Sequence, residues 1–244
     1  MRSSKFFYLF NHITQLPRFI SEFFKFKKSA SQWDCQFSDL LPMLNDSTST
    51  MGFDAHYVYH TGWAARVLQE MGPKEHVDIS SSIMFCSIAS AFVPMRHYDY
   101  RQPILQMPRL DCGSQDLCKL TFLDDSIESL SCMHVIEHIG LGRYGDPINV
   151  VGDEVAAREL VRVLAPGGIL LIVLPVAERA RVRFNAHRIY SLQKVTKLFS
   201  GLELSEFSFL NEARSNRFTR FASQTDIIGS EYGCGCFVFR KLKN

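Results

Sequence analysis

The residues with the most recognisable chemistry lie in one stretch, His134–Gly145, which reads HVIEHIGLGRYG. It begins with H-x-x-E-H, a zinc-peptidase signature, and continues with G-x-G-x-x-G, a dinucleotide-binding signature. The zinc signature needs a helix, which brings positions i and i+4 onto one face. The apolar and small residues before His134 favour a strand, on which its two histidines would lie about 13 Å apart. The dinucleotide signature needs a helix at its third glycine, where Asp146 and Pro147 follow instead. Neither signature is therefore predicted to function, and no metal site is expected.

The seven cysteines do not supply a metal signature either. Their number is odd, no two are spaced C-x-x-C, and several lie in apolar runs where cysteine is a small core residue. This usage favours a reducing, cytoplasmic setting over a disulfide framework. No apolar run reaches the roughly 18–20 residues that span a bilayer, and the first residues lack the cleavage site of a signal peptide.

Charge is distributed unevenly along the chain. Residues 1–28 hold six Lys/Arg and one Glu, whereas the remainder holds 21 Lys/Arg and 24 Asp/Glu. Eight aromatic residues are interleaved with these basic residues, and Pro17 is expected to open a second helix that runs to about Lys28. Such a helix would contact an anionic membrane surface, or pack its aromatic face on the body or on a second subunit. Residues 1–50 are predicted to be an extension and linker, and residues 51–244 a domain whose acidic balance disfavours nucleic acid.

Strand-like and helix-like segments alternate from His76 onward. Short apolar strands are expected at HVDIS, VPMRHYDY, SIESLSCMHVI and ILLIVLPV, and two late strands at LELSEFSFL and CGCFVFRKL. The alternation predicts an α/β fold with an open, mostly parallel sheet and helices on both faces. Ligands of such sheets bind at the carboxyl ends of the strands.

One extended pattern links these elements to a chemistry. Asp116 begins the string DLCKLTFLDDS, a strand leads to Val135-Ile136-Glu137-His138, and a helix then leads to LAPGG and a buried strand. This order resembles the class I S-adenosylmethionine-dependent methyltransferases, whose pattern runs D-x-x-x-L-P-F-x-D-x-S-F-D, V-L-E-H and L-x-P-G-G. The runs EHIGLGRYGDP and FNAHRIY resemble a narrower methyltransferase-like family of unknown function. The resemblance implies a Rossmann-like methyltransferase fold with a seven-stranded sheet.

The resemblance also implies the residues that bind S-adenosylmethionine. Asp116 would accept a hydrogen bond from the adenine amino group, and Asp99 would accept both ribose hydroxyls. Asp78 would orient the first loop or approach the methionine ammonium. The cofactor-binding set is completed by Ser80, Ser82 and Leu117. The alternative for each carboxylate is a solvated strand end or a capping residue.

The first loop departs from the family pattern. Methyltransferases usually carry D-x-G-x-G-x-G there, whereas this chain reads Asp78-Ile-Ser-Ser-Ser-Ile-Met84 and has no glycine. A Cβ atom at Ser80 and the bulk of Met84 would narrow a cofactor site.

Glu137 and His138 are the predicted catalytic residues, because they follow the fourth strand and face the cleft. An imidazole there can take a proton from an acceptor hydroxyl, although a histidine that pins the loop is an equal alternative. The predicted substrate-binding residues lie on the glycine-rich loop and after the fifth strand: Arg143, Tyr144, Asp146, Asn185, His187 and Arg188. The alternative for the loop is that its Arg and Asp pair with each other.

The sequence therefore predicts methyl transfer to a small polar acceptor, such as a sugar or glycan precursor. The alternative is a non-catalytic binding or scaffold protein of the same fold, whose cofactor loop has decayed.

Overall fold

The computed structural model describes residues 2–30, 32–212 and 216–243. The chain divides into two compact units, Met1–Phe53 and Asp54–Asn244. The sequence placed this division at residue 50. Throughout the described residues, no helix is both long and apolar enough to cross a membrane.

The first unit is dominated by α1 (Arg2–Ser29), which is one continuous helix. The expectation that Pro17 opens a second helix is wrong, because Pro17 lies inside α1. A proline inside a helix removes one amide donor and crowds the preceding turn. Here the turns on both sides of Pro17 keep their helical form, so this local cost does not end the helix.

In the first unit, an aromatic contact joins α1 to the segment that follows it. Phe23 is buried, and its ring lies 4.9 Å from that of Phe37, which begins a short 3-10 helix (Phe37–Asp39). Phe24 and Phe26 remain more than half exposed. Contact of this segment with a membrane surface stays a prediction, which co-sedimentation with anionic lipid vesicles would test.

The second unit opens with α2 (Ala55–Met71), which the Asp54 side chain caps by accepting a hydrogen bond from the Tyr57 amide. The elements that form the sheet and its first helices are β1 (His76–Ile79), α3 (Ile83–Ala89), β2 (Met95–Asp99), β3 (Leu110–Ser114), β4 (Ile127–Met133), α4 (Gly152–Val163) and β5 (Leu164–Val176). The remaining elements are β6 (Arg181–Arg183), β7 (His187–Ile189), α5 (Leu192–Leu198), β8 (Glu203–Asn211), β9 (Arg217–Thr219), α6 (Gln224–Ile227) and β10 (Gly233–Arg240).

The main sheet has eight strands in the order β3-β2-β1-β4-β5-β10-β8-β9. The first five are parallel, and β10, β8 and β9 join antiparallel. One apolar core contains residues of α4 and α5, and a second contains residues of α2 and α3, so helices cover both faces. The predicted fold, a mostly parallel sheet with helices on both faces, is confirmed. The three-residue strand β9 raises the predicted seven strands to eight.

The chain changes direction at the end of β4, earlier than predicted. The expected strand continued to Ile136, but β4 ends at Met133 and His134 has a left-handed backbone with φ of 56°. A short 3-10 helix (Ile136–His138) follows. This turn brings the side chains of Glu137 and His138 to the carboxyl edge of the sheet.

Candidate active site

The carboxyl ends of β1, β2, β3 and β4 collect most of the residues predicted from the sequence. Asp78 pairs in register with His97 of β2 and with Ser131 of β4, and Asp99 pairs with Ser114. Because these strands are parallel, their ends meet at one edge, and the chain crosses from one side of β1 to the other there. This is the switch in strand order at which open α/β sheets bind ligands.

Asp78 is fully buried at this edge and makes hydrogen bonds through both of its oxygens. Oδ1 accepts from the Ser81 amide at 3.1 Å and from His97 Nδ1 at 2.8 Å, while Oδ2 accepts from the Ser131 hydroxyl. Burial alone would raise the pKa of Asp78, but the bonds from His97, Ser131 and Ser81 lower it. These contacts place Asp78 in the role of orienting the first loop, and its carboxylate has no exposed surface for a cofactor.

His76 extends this set of hydrogen bonds along the sheet. Its Nε2 lies 2.8 Å from Ser131 Oγ, and its Nδ1 lies 2.7 Å from Ser129 Oγ. Burial lowers the pKa of His76 to about 4, so the ring is neutral. We call this group the Asp78 network, and its members are His76, Asp78, Ser81, His97, Ser129 and Ser131.

The first loop keeps a tight turn without glycine. Ser80 has φ of 58°, in the left-handed region that glycine favours, and its amide donates to the Tyr98 carbonyl at 2.7 Å. Ser82 is the N-cap of α3. The Met84 side chain is 71% exposed. The loop therefore has the backbone turn that a cofactor approach requires, and Met84 extends into solvent.

Asp99 and Asp116 each hold the start of their own loop. Asp99 Oδ1 accepts from the Arg101 amide at 2.8 Å, and Asp116 Oδ1 accepts from the Cys118 amide at 2.8 Å. Within the described residues, the second oxygen of each carboxylate makes no hydrogen bond. Leu117, beside Asp116, is buried. Both carboxylates thus stay free to accept further hydrogen bonds at the edge formed by β2 and β3.

Glu137 and His138 lie on the opposite side of the switch point. Glu137 is buried, and its Oε1 lies 2.9 Å from His134 Nδ1 and 3.8 Å from His138 Nε2. His138 Nδ1 donates to the Ala186 carbonyl at 2.6 Å. That bond assigns a proton to Nδ1, because a carbonyl oxygen can only accept.

Glu137 lies beside a continuous set of contacting rings that includes His138. Half of the set was missed by sequence reasoning. Successive ring centroids lie 5.1–6.3 Å apart. We call it the histidine–tyrosine cluster, and its members are His56, Tyr57, His60, His134, His138, Tyr144, His187 and Tyr232. They come from α2, the segment after β4, β7 and the residue before β10. No local sequence pattern connects positions so far apart.

Unpaired polar atoms concentrate in this cluster. Seven buried side-chain nitrogen or oxygen atoms of the described residues make no hydrogen bond, and four of them are His56 Nε2, His60 Nε2, Glu137 Oε2 and His187 Nε2. Buried polar groups are nearly always paired, by protein, water or ligand. Groups of this kind are available to a polar ligand or to water.

Burial sets the protonation of most of these rings. It lowers the pKa of His60 to about 3 and that of His56 to about 4, so both rings are neutral near pH 7. It raises the pKa of Tyr232 to about 12. His134 is the exception, because Cys234 and Glu137 outweigh its burial and raise its pKa to about 10.

Arginine side chains line the exposed rim of the cluster. The guanidinium groups of Arg143 and Arg101 lie 5.1 and 5.5 Å from the Tyr144 ring, and that of Arg183 lies 5.2 Å from the Tyr232 ring. These cations give the rim a positive charge that suits an anionic ligand.

Three of the other predicted substrate-binding residues hydrogen-bond to the protein backbone. Asp146 accepts from the Gly140 amide at 2.7 Å, and buried Arg188 donates to the Ile139 carbonyl at 2.6 Å. Asn185, with φ of 62°, forms the turn between β6 and β7. These bonds hold the loop after β4 in place, and a substrate contact by any of the three stays a prediction.

Two cavities, of about 390 and 520 Å³, lie at the opposite edge of the sheet. Pro166 lines both of them, and Gly167 and Gly168 line the larger one. None of the predicted site residues lines either cavity. The position of ligands in open α/β sheets favours the carboxyl edge over this one.

Comparison with known proteins relates this fold to a family. A family model described as "Caenorhabditis protein of unknown function, DUF268" matches residues 116–242, more than half of the chain. No curated protein matches the sequence.

Solved structures show the same fold at low identity. The YcgJ protein from Bacillus subtilis aligns with a TM-score of 0.53 and 16% identity, over 77% of this chain and 100% of that chain. The 1,6-didemethyltoxoflavin-N1-methyltransferase of Burkholderia thailandensis aligns with a TM-score of 0.52 and 9% identity, over 75% and 79%. The [4+2]-cyclase SpnF aligns with a TM-score of 0.51 and 14% identity, over 74% and 82%. The fold is therefore the Rossmann-like methyltransferase fold, on which more than one reaction is carried out.

Proposed function

This chain belongs to the family described as Caenorhabditis protein of unknown function, DUF268, and we propose that it is an S-adenosylmethionine-dependent methyltransferase. The acceptor that we propose is a small polar molecule, such as a sugar or glycan precursor. The observation that carries the proposal is the division of the carboxyl edge into two halves. Free carboxylates stand at the ends of β2 and β3, and unpaired buried groups stand beyond β4.

The half at β2 and β3 fits the cofactor. Asp99 and Asp116 each have an oxygen that makes no hydrogen bond within the described residues, and they offer acceptors to ribose hydroxyls and to an amino group. Ser80 keeps the left-handed turn of the first loop, so its amide and the start of α3 stay at the same edge. The Burkholderia thailandensis methyltransferase of similar fold was solved with S-adenosylhomocysteine. When bound, S-adenosylmethionine supplies an electrophilic methyl group.

The half beyond β4 fits the acceptor. His138 Nε2 is positioned to receive the proton that an acceptor hydroxyl loses, because its Nδ1 proton is committed to the Ala186 carbonyl. Glu137, 3.8 Å away, would stabilise the imidazolium that results. Methyl transfer asks for little more than alignment and proton removal, so this pair suffices as the catalytic machinery.

The arginine residues at the rim indicate the chemical class of the acceptor. Arg101, Arg143 and Arg183 are held over tyrosine rings around the opening of the cluster. A phosphorylated or carboxylated sugar matches both the cations at the rim and the hydrogen-bonding groups inside.

Calorimetric titration of the full chain with S-adenosylmethionine, and separately with S-adenosylhomocysteine, tests the proposal. We expect micromolar binding that falls at least about tenfold in Asp99→Ala and in Asp116→Ala, since each loses hydrogen bonds worth about 1–2 kcal/mol. Asp111→Ala is the matched control, because Asp111 is an exposed aspartate of β3 outside the proposed site.

If folded wild-type protein bound neither S-adenosylmethionine nor S-adenosylhomocysteine, the proposal that this chain is a methyltransferase would be rejected. The non-catalytic binding or scaffold protein would then be the better description. Equal loss of affinity in Asp111→Ala would show that the effect of the other two variants is not specific to the site.

A further inference from the structure

Three side chains that are far apart in the sequence present metal-binding atoms to one another in the histidine–tyrosine cluster. His56 lies in the first turn of α2, His134 follows β4, and Cys234 lies in β10. One ligand atom of each lies within 4.8 Å of the other two, and His134 Nε2 lies 3.5 Å from Cys234 Sγ. All three belong to the unit Asp54–Asn244.

We propose that His56, His134 and Cys234 bind a zinc ion. Zinc–nitrogen and zinc–sulfur bonds of about 2.1 and 2.3 Å in a tetrahedral site place nitrogen and sulfur about 3.6 Å apart. The observed separation of 3.5 Å between His134 and Cys234 matches that value. Two imidazoles and one thiolate are ligands typical of zinc, and they distinguish it from Mg²⁺ and Ca²⁺, which take oxygen ligands.

The second ring nitrogen of His134 has the partner that metal-bound histidines usually have. Its Nδ1 lies 2.9 Å from Glu137 Oε1, so the carboxylate accepts the Nδ1 proton, and Nε2 faces Cys234 Sγ and would bind the ion after losing its own proton. Carboxylate–histidine–zinc arrangements of this kind fix the tautomer and strengthen the ligand.

His56 supplies an independent observation. Its ring is buried, and Nε2 makes no hydrogen bond by geometry although it lies 2.8 Å from Glu212 Oε1. An ion bound by the three residues would pair that nitrogen. Zinc sites with three protein ligands keep the fourth position for water or substrate.

A second group of potential ligands shows why the pattern is specific. Asp78, Cys86 and His97 also lie within ligating distance of one another. There, however, both Asp78 oxygens accept hydrogen bonds, and none of the three residues contributes a buried nitrogen or oxygen without a hydrogen bond. The group at His134 differs, because His56 Nε2 is such an atom.

The site joins the start of α2, the end of β4 and the start of β10, so a bound ion would hold these three elements together. Binding requires release of the Cys234 proton, and of any proton on His134, so affinity should rise with pH. The inference does not depend on methyl transfer, because binding of zinc is measured without acceptor or S-adenosylmethionine.

Metal titration of the full chain tests the site. Protein treated with a chelator and then desalted is titrated with Zn²⁺ against a chromophoric chelator, and Co²⁺ is used as a spectroscopic substitute. We expect one equivalent of zinc, and a cobalt spectrum with a thiolate-to-cobalt charge-transfer band. Glu137→Gln should weaken zinc binding by about 10–100-fold, the usual effect of losing such a partner.

Cys234→Ser should lose the equivalent of zinc and the charge-transfer band. Cys132→Ser is the matched control, because Cys132 is equally buried but belongs to the core on the other face of the sheet. Wild-type protein that binds no zinc, or binds cobalt without a thiolate band, would overturn the inference even if Cys234→Ser does not fold. So would full zinc binding by folded Cys234→Ser.

Discussion

The Asp78 network and the histidine–tyrosine cluster occupy neighbouring strand ends, and both are built from histidines around one buried carboxylate. In the Asp78 network, the carboxylate accepts from Ser81, His97 and Ser131, and His76 bonds to two serines. In the cluster, Glu137 bonds to His134 through one oxygen, and its other oxygen is buried without a partner.

We infer from this difference that the Asp78 network serves folding and that the cluster serves binding. A buried carboxylate with all of its hydrogen bonds stabilises the native state and has nothing left to offer a ligand. A buried carboxylate with an unpaired oxygen costs stability in the free protein, and that cost is recovered when a ligand or ion completes the set.

The largest expected effect comes from a matched pair of carboxylate-to-amide variants. Asp78→Asn turns an amide NH₂ toward groups that all donate, so at least one donor and the new NH₂ lose their partners. We expect a loss of about 2–6 kcal/mol in the free energy of unfolding, at about 1–3 kcal/mol for each unpaired group. Glu137→Gln keeps the oxygen that bonds to His134, so its change should stay within about 1 kcal/mol.

Urea denaturation of both variants, prepared without metal, measures this difference. Equal losses would remove the distinction between the two clusters. A larger loss in Glu137→Gln would mean that the cluster stabilises the fold.

A smaller effect is expected from pH, and it concerns His76. Its pKa is about 4 in the folded protein and 6.5 when exposed, so the unfolded chain takes up the proton first as pH falls. The stability contributed by neutral His76 is therefore complete above pH 6.5 and is lost as pH falls toward 4. The loss amounts to at most about 3 kcal/mol, at 1.36 kcal/mol for each pKa unit.

Unfolding free energies at pH 7.0, 5.5 and 4.5 for the wild type and His76→Gln measure the contribution. His56 and His60 have lowered pKa values too and act in the same direction in both proteins. The lowered pKa of Asp78 acts only below its ordinary value of 3.8. The free energy of unfolding should therefore fall less steeply with falling pH in His76→Gln than in the wild type, but it should still fall. An unchanged slope would show that His76 is already protonated in the fold or is not buried.

The elements of the sheet could be predicted from the sequence because their signals are local. Alternating strands and helices lie within short windows of sequence. The prediction failed where tertiary contacts decide the backbone: His134 turns left-handed at the end of β4, and α1 continues through Pro17. Hydrogen bonds that join His134 to Glu137 and to Cys234 accompany that turn, and they cannot be predicted from the residues next to it.

Some residues of the candidate site, but not all, could be placed together from the sequence. Asp99, Asp116, Glu137 and His138 follow strands, and the rule that parallel strands end at one edge places them together. His56, Tyr57, His60 and Tyr232 were missed because they come from elements that only the folded chain brings to β4. The three proposed zinc ligands share no local pattern either, because His56, His134 and Cys234 are 78 and 100 positions apart.

The smallest effect concerns the glycine-free loop beside the Asp78 network, where two serines can be compared. Ser80 has φ of 58°, whereas Ser82 has φ of −62°. Ser80→Gly should relieve about 1–2 kcal/mol of backbone strain and lose about 0.5–1 kcal/mol through the flexibility of the unfolded chain, a net gain in stability of up to about 1.5 kcal/mol. Ser82→Gly relieves no strain and should lose about 0.5 kcal/mol of stability.

Urea denaturation measures both changes in stability. Calorimetry with S-adenosylmethionine should show that Ser80→Gly binds the cofactor at least as tightly as the wild type. Weaker binding in Ser80→Gly would mean that the serine itself contacts the cofactor, and that this family has replaced the usual glycine with a ligand-binding side chain.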